Sequence, residues 1–165
     1  MNSLLSARRA AFAILLILIL TIGFHIAVLA GGVPPEIVWG GRATDPQQLH
    51  RLEAVSIAVN VLLVVVVLGY TGSLGFRFSH RVLRPAFWAM LVLFSLNTVG
   101  NVLAETATET VVFTPVTALL ALLCGRVLLG GFNNSRVKSQ HSKTDAATHT
   151  AAKDLSRPER VPFDY

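Results

Sequence analysis

The chain has almost no sulfur chemistry available to it. Cys124 is the only cysteine, so an intramolecular disulfide and dithiol redox chemistry are both excluded. Charge is scarce as well. Asp, Glu, Lys and Arg make up 14% of the residues, against roughly 25% in a soluble domain. The sequence holds no Gly-rich phosphate loop ending in Lys, no His-Glu-x-x-His and no Gly-x-Ser-x-Gly. These absences remove the nucleotide-binding loop, the helical zinc site and the nucleophile elbow. Histidine is equally sparse. On the side of the membrane assigned below as external, only His25 and His50 occur, too few for a usual zinc site. No metal and no cofactor is expected, and no motif identifies an enzyme.

What the chain has in abundance is apolar sequence, 53% of residues, with a mean hydropathy of +0.60. It is gathered into four long runs, 10–30, 54–70, 86–104 and 111–130. A hydrocarbon core of about 30 Å takes about 20 helical residues at about 1.5 Å each. The second run includes Val64, Val65, Val66 and Val67 in succession, a strand-like pattern in water. In lipid an isolated strand leaves its backbone groups unpaired, so the segment must be helical. The predicted fold is therefore all-α, a bundle of four antiparallel transmembrane helices over residues 1–130. Arg8 and Arg9 before the first run resemble the charged start of a signal peptide. A signal core spans about 7 to 15 residues, so the longer run is read as a retained helix.

A net charge of +5 would suit nucleic acid, but the basic residues flank the apolar runs and serve topology and headgroups instead. Twelve of the fourteen lie in the N-terminus, the loop with Arg77, Arg81 and Arg84, and the segment from Arg126 onward. Only Arg42 and Arg51 fall on the other side. The positive-inside rule then predicts a cell-membrane protein with both termini cytoplasmic. Arg77, Arg81 and Arg84 are expected to touch anionic headgroups, the partners otherwise being membrane lipids, a membrane protein or a second copy. Residues 31–50 form an external loop rich in Gly and Pro, a turn composition. Residues 131–165 are polar and without apolar periodicity, and are read as a disordered cytoplasmic tail.

The sites of interest are the polar residues within the spans. Glu53, Ser56 and Asn60 follow at i, i+3 and i+7, and Asn97, Asn101 and Glu105 at i, i+4 and i+8. Each set occupies one helix face. Thr110, Thr114, Thr117, Ala121 and Gly125 form a stripe on the fourth helix, and the first contributes His25. All four helices thus carry polar groups in the outer half. One reading is a polar pocket open to the extracytoplasmic side, built from His25, Glu53, Asn60, Asn97, Asn101 and Glu105, with Trp39 and Arg42 at its mouth. Polar groups in a span usually face the bundle interior or water. The competing reading is packing. Asn and Thr would act as interhelical hydrogen-bond glue, the small-residue stripe would allow close approach, the two glutamates would be solvated at helix ends, and Trp39 would anchor at the interface.

Gly23-Phe24-His25, the pair Gly31-Gly32, Pro34-Pro35 and Trp39-Gly40-Gly41-Arg42 together resemble the DUF3995-like four-helix bacterial membrane proteins. These carry a His near the end of helix one followed by a Gly pair; the aromatic residues usual between the two are absent here. The general layout is also similar to DoxX-like proteins. The resemblance implies a four-helix fold and no activity. The function expected is that of a non-enzymatic accessory or ligand-binding component. The alternatives are a membrane enzyme acting on a lipid or quinone and a subunit of an oligomeric transporter.

Overall fold

The computed structural model describes residues 6–34, 38–39, 45–75, 78–104 and 107–132. Arg42, Arg77, Glu105 and the segment 133–165 lie outside the described residues. The helices are α1 (Ala7–Leu29), α2 (Pro46–Thr71), α3 (His80–Val102) and α4 (Thr114–Gly131), with a π-helical turn at Glu109–Phe113 leading into α4. Each span, the last counted from Glu109, is long and apolar enough to cross a membrane. The chain is a multi-pass membrane protein with an all-α bundle fold.

The helices start where short polar side chains can cap them. Ser6 accepts a hydrogen bond from the Arg9 amide at 3.2 Å and Asp45 from the Gln48 amide at 3.1 Å. Each satisfies an amide that the first turn leaves without an intrahelical partner. Pro46, directly after Asp45, needs no amide partner at the first helical position. This pair corrects the reading of Asp45 and Pro46 as loop. The second helix begins eight residues before the apolar run, and at 26 residues it measures about 39 Å. Ser79 likewise accepts from the Arg81 amide at 3.3 Å, so α3 begins at His80 and carries Arg81 and Arg84 in its first two turns. Gly72 ends α2 in the left-handed region, φ 78°, a conformation that glycine adopts without a Cβ clash.

Helix α1 packs against α2 and α4, and α4 against α3, whereas α2 and α3 touch little. The buried core holds Ile14 and Leu18 from α1, Val67 from α2, Phe87 and Met90 from α3 and Cys124 from α4. Outward-facing leucines are largely bare: Leu16 is 60% exposed, Leu62 62% and Leu129 73%. Such a surface suits hydrocarbon, which is as apolar as the side chains. At one end Tyr70 meets Phe87 at 5.2 Å and Phe132 at 5.8 Å between ring centroids. Gly131 and Phe132 therefore belong to the helical unit, which runs to Phe132, rather than to a tail starting at 131. This end also carries the start of α3 and is called the Arg84 end; the opposite one is the Trp39 end.

Candidate functional site

Glu53 lies two turns into α2, and its surroundings differ from those of a solvated helix end. It is completely buried. Its Oε2 is 2.6 Å from Nδ1 of His25 on α1, and its Oε1 accepts a hydrogen bond from the indole N–H of Trp39 at 2.8 Å. An unpaired carboxylate at such a position would be strongly destabilising. Here each oxygen has its own partner, on two different parts of the chain. The expectation that Glu53 is merely solvated is thus corrected. So is the expectation of a simple interfacial anchor for Trp39, whose φ of 55° is rare for a bulky residue. The preceding Val38 is 3% exposed, so this stretch of the first loop is folded onto the helices.

The His25 ring retains one unused nitrogen. With Glu53 ionised, Nδ1 carries the proton and donates it to Oε2, which leaves the Nε2 lone pair as an acceptor. Nε2 makes no hydrogen bond within the described protein. Among the described residues no buried side-chain nitrogen or oxygen lacks a partner, so Nε2 is accessible. Phe24 stacks edge-on to the same ring at 5.9 Å and reaches Phe113 of the π-helical turn at 5.0 Å, which ties α1 to the start of α4.

Below this cluster lies a cavity of about 360 Å³ to which all four helices contribute. Glu53, Ser56 and Asn60 of α2 and Asn97 and Asn101 of α3 are among the residues that line it. Asn60 donates to the carbonyl of Ser56, 2.8 Å away in its own helix, and Asn97 makes no side-chain hydrogen bond within the described protein. Neither acts as interhelical glue. Asn101 does: its amide donates to Thr117 Oγ1 at 3.3 Å, and Thr98 Oγ1 lies 3.0 Å from the same atom. Thr117 in turn donates to the carbonyl of Phe113 at 2.9 Å. The small-residue stripe on α4 is therefore divided. Thr117 and the buried Ala121 face the bundle, but a Cβ on Gly125 would meet nothing within 4 Å, so no helix approaches closely there.

The structure thus brings His25, Glu53, Asn60, Asn97, Asn101 and Trp39 to one cavity. Glu105 and Arg42 lie outside the described residues. Reasoning from sequence missed Thr98, Phe24 and Phe113. It placed Glu109 beyond the span, although that residue also lines the cavity. A helix-face projection of α4 started at Glu109 would have found it eight residues before Thr117 on the same side. Among the described residues no three His, Cys, Asp or Glu side chains converge as metal ligands. The lining residues can accept and donate hydrogen bonds.

No protein family, curated protein or solved structure matches the chain. The expected resemblance to DUF3995-like or DoxX-like proteins has no matching family behind it; the four long apolar helices stand by themselves. The chain is a small four-span membrane protein.

Proposed function

We propose that the protein is a non-enzymatic ligand-binding component of the cell membrane, whose cavity opens to the extracytoplasmic side. The observation that carries this reading is unused hydrogen-bonding capacity. Asn97 and the Ser56 hydroxyl make no side-chain bond in the described protein, and His25 keeps Nε2 open, all around one space of about 360 Å³. That volume is within the range of roughly 300 to 1,000 Å³ typical of ligand sites. A bundle that needed its polar residues only for packing would pair them across helices, as Thr117 does. The orientation rests on charge. Arg8, Arg9, Arg81, Arg84 and Arg126 belong to the end opposite the cavity, which the positive-inside rule assigns to the cytoplasm. Arg81 and Arg84 meet anionic headgroups there.

The test uses a Ser56→Cys, Cys124→Ala chain in intact cells. A membrane-impermeant maleimide added outside is expected to label it, and protection of that cysteine would remove the reading. Reporter fusions at residues 45 and 78 are expected to report external and cytoplasmic sides respectively.

A second reading, a membrane enzyme acting on a lipid or quinone, is favoured by one specific observation. A carboxylate 2.6 Å from a histidine whose other nitrogen is open is the arrangement of a general base and its orienting group. Turnover that is abolished in His25→Ala, with the fold intact, would select it.

A further inference from the structure

Among the described residues of the first loop, Val38 and Trp39 are the two that line the cavity, and they are held in different ways. Val38 is apolar and 3% exposed, so burial anchors it. Trp39 is only partly buried. Its indole N–H donates to Glu53 Oε1 at 2.8 Å, and among the described residues the side chain makes no second hydrogen bond and no ring contact. Its backbone has φ 55°, a region that costs energy for a bulky residue and persists only where the surroundings impose it. Val38 therefore holds the chain, and a single directed bond holds the ring. Breaking that bond frees the ring without undocking the chain, and relief of the backbone favours the release.

The acceptor is suited to a bond that opens. Glu53 is completely buried, and when the indole leaves, Oε2 keeps its contact with His25 Nδ1 at 2.6 Å. Oε1 is then left at the cavity that Glu53 lines, where water can replace the indole N–H. An orphaned buried oxygen, which would lock the contact shut, is avoided. Trp39 also sits at the outer rim. From Glu53 the lining descends along α2 to Leu63, about 15 Å deeper at about 1.5 Å per residue.

We infer that Trp39 is a latch on the extracytoplasmic mouth of the cavity. Seated on Glu53 it narrows the way in, and a solute reaches Ser56 and Asn97 when the indole lifts. This rests on the ligand-binding reading above and adds control of access to it.

The test compares how fast the membrane-impermeant maleimide labels Ser56→Cys, Cys124→Ala cells with and without Trp39→Phe. Phenylalanine keeps an aromatic ring and removes the N–H. The expected rate is about fivefold higher, the equilibrium effect of one net hydrogen bond. Trp39→Ala, which removes the ring as well, should be at least as fast. A phenylalanine chain that labels at the parent rate overturns the latch and leaves the cavity standing. That holds also if the alanine chain alone is faster, since the ring would then be a plug held by its bulk. Cys124, fully buried in α4, is the control for folding. With Ser56 intact and in detergent, Trp39→Phe should leave it as unreactive as in the parent, and a matching rise there would overturn the latch by showing a loosened bundle. Protection of residue 56 in every chain removes the ligand-binding reading together with the latch. Labelling confined to the two Trp39 variants removes only a standing opening and supports the latch.

Discussion

The two ends of the bundle are built from the same four helices and solve different problems. At the Arg84 end, aromatic rings fill the space: Tyr70 of α2 lies against Phe87 of α3, and Phe132 after α4 packs on both. At the Trp39 end hydrogen-bonding side chains of all four helices border a cavity instead. Large side chains fill the space at one end, whereas at the other Phe24, Trp39 and Phe113 border a cavity without filling it. The difference teaches that the cavity lies where the rings stop closing the bundle. Polar groups can remain unpaired there because the space around them is open, whereas a sealed interface would have required partners.

The sharpest way to break this comparison is to remove Glu53, the one fully buried ionisable residue at the open end among the described residues. Glu53→Ala leaves His25 and Trp39 without their acceptor, and breaking a buried pair from one side costs roughly 3–5 kcal/mol. Denaturant titration of the full chain in detergent should show that loss. An unchanged midpoint would mean that Glu53 is solvated after all. Phe87→Ala probes the closed end. Lipid tails are as apolar as the core, so the transfer part of the usual cost is largely missing. What remains is the lost packing around the void, roughly 2 kcal/mol, and the change should leave Ser56→Cys labelling from outside intact. Loss of that labelling would show that the two ends are not separable.

How much of this could be read from the residues depends on what kind of signal each element leaves. The four spans were legible because run length maps directly onto bilayer thickness. Their starts were not. The apolar run ending at Tyr70 begins at Ala54, and only the pair Asp45-Pro46, a cap followed by a residue needing no amide partner, marks the true origin of α2. The polar faces of α2 and α3 were legible from periodicity, since Glu53, Ser56 and Asn60 recur on one side. Their pairing was not, because spacing along one helix says nothing about the neighbour. That is why Asn60 turned out to bond its own helix while Thr117, read as a small packing residue, joins α3 to α4. The hydrogen bond from Trp39 to Glu53 spans fourteen positions through a Gly- and Pro-rich loop, where no period exists to predict it.

Thr117 offers a finer probe of the same contrast, since it is a fully used polar group beside unused ones. Thr117→Val keeps the shape and removes the hydroxyl that accepts from Asn101 and lies against Thr98. An interhelical hydrogen bond in a membrane bundle averages about 0.6 kcal/mol, and up to about 1.7. A fall of about 1 kcal/mol in unfolding free energy is expected. No change would show that the α3–α4 seam is held by packing alone.

The smallest effect on stability, and the most informative, belongs to Asn97→Leu. Asn97 is exposed along α3 and makes no side-chain hydrogen bond in the described protein, so there is no bond to lose and no neighbour to leave unsatisfied. Leucine is the better helix former by a few tenths of a kcal/mol and is more at home beside hydrocarbon. The unfolding free energy should stay within about 0.5 kcal/mol of the parent or rise slightly. If Asn97 were glue between helices, the same substitution would cost about as much as Thr117→Val. Binding should respond in the opposite sense. An amide that donates to a ligand oxygen contributes about 1 kcal/mol net, so a ligand held in this cavity should bind about fivefold more weakly to the leucine variant. A chain that is unaltered in stability and weakened in binding separates a site residue from a structural one. A chain weakened in stability alone would assign Asn97 to packing, and the open end of the bundle would then differ from the closed end only in how well it is filled.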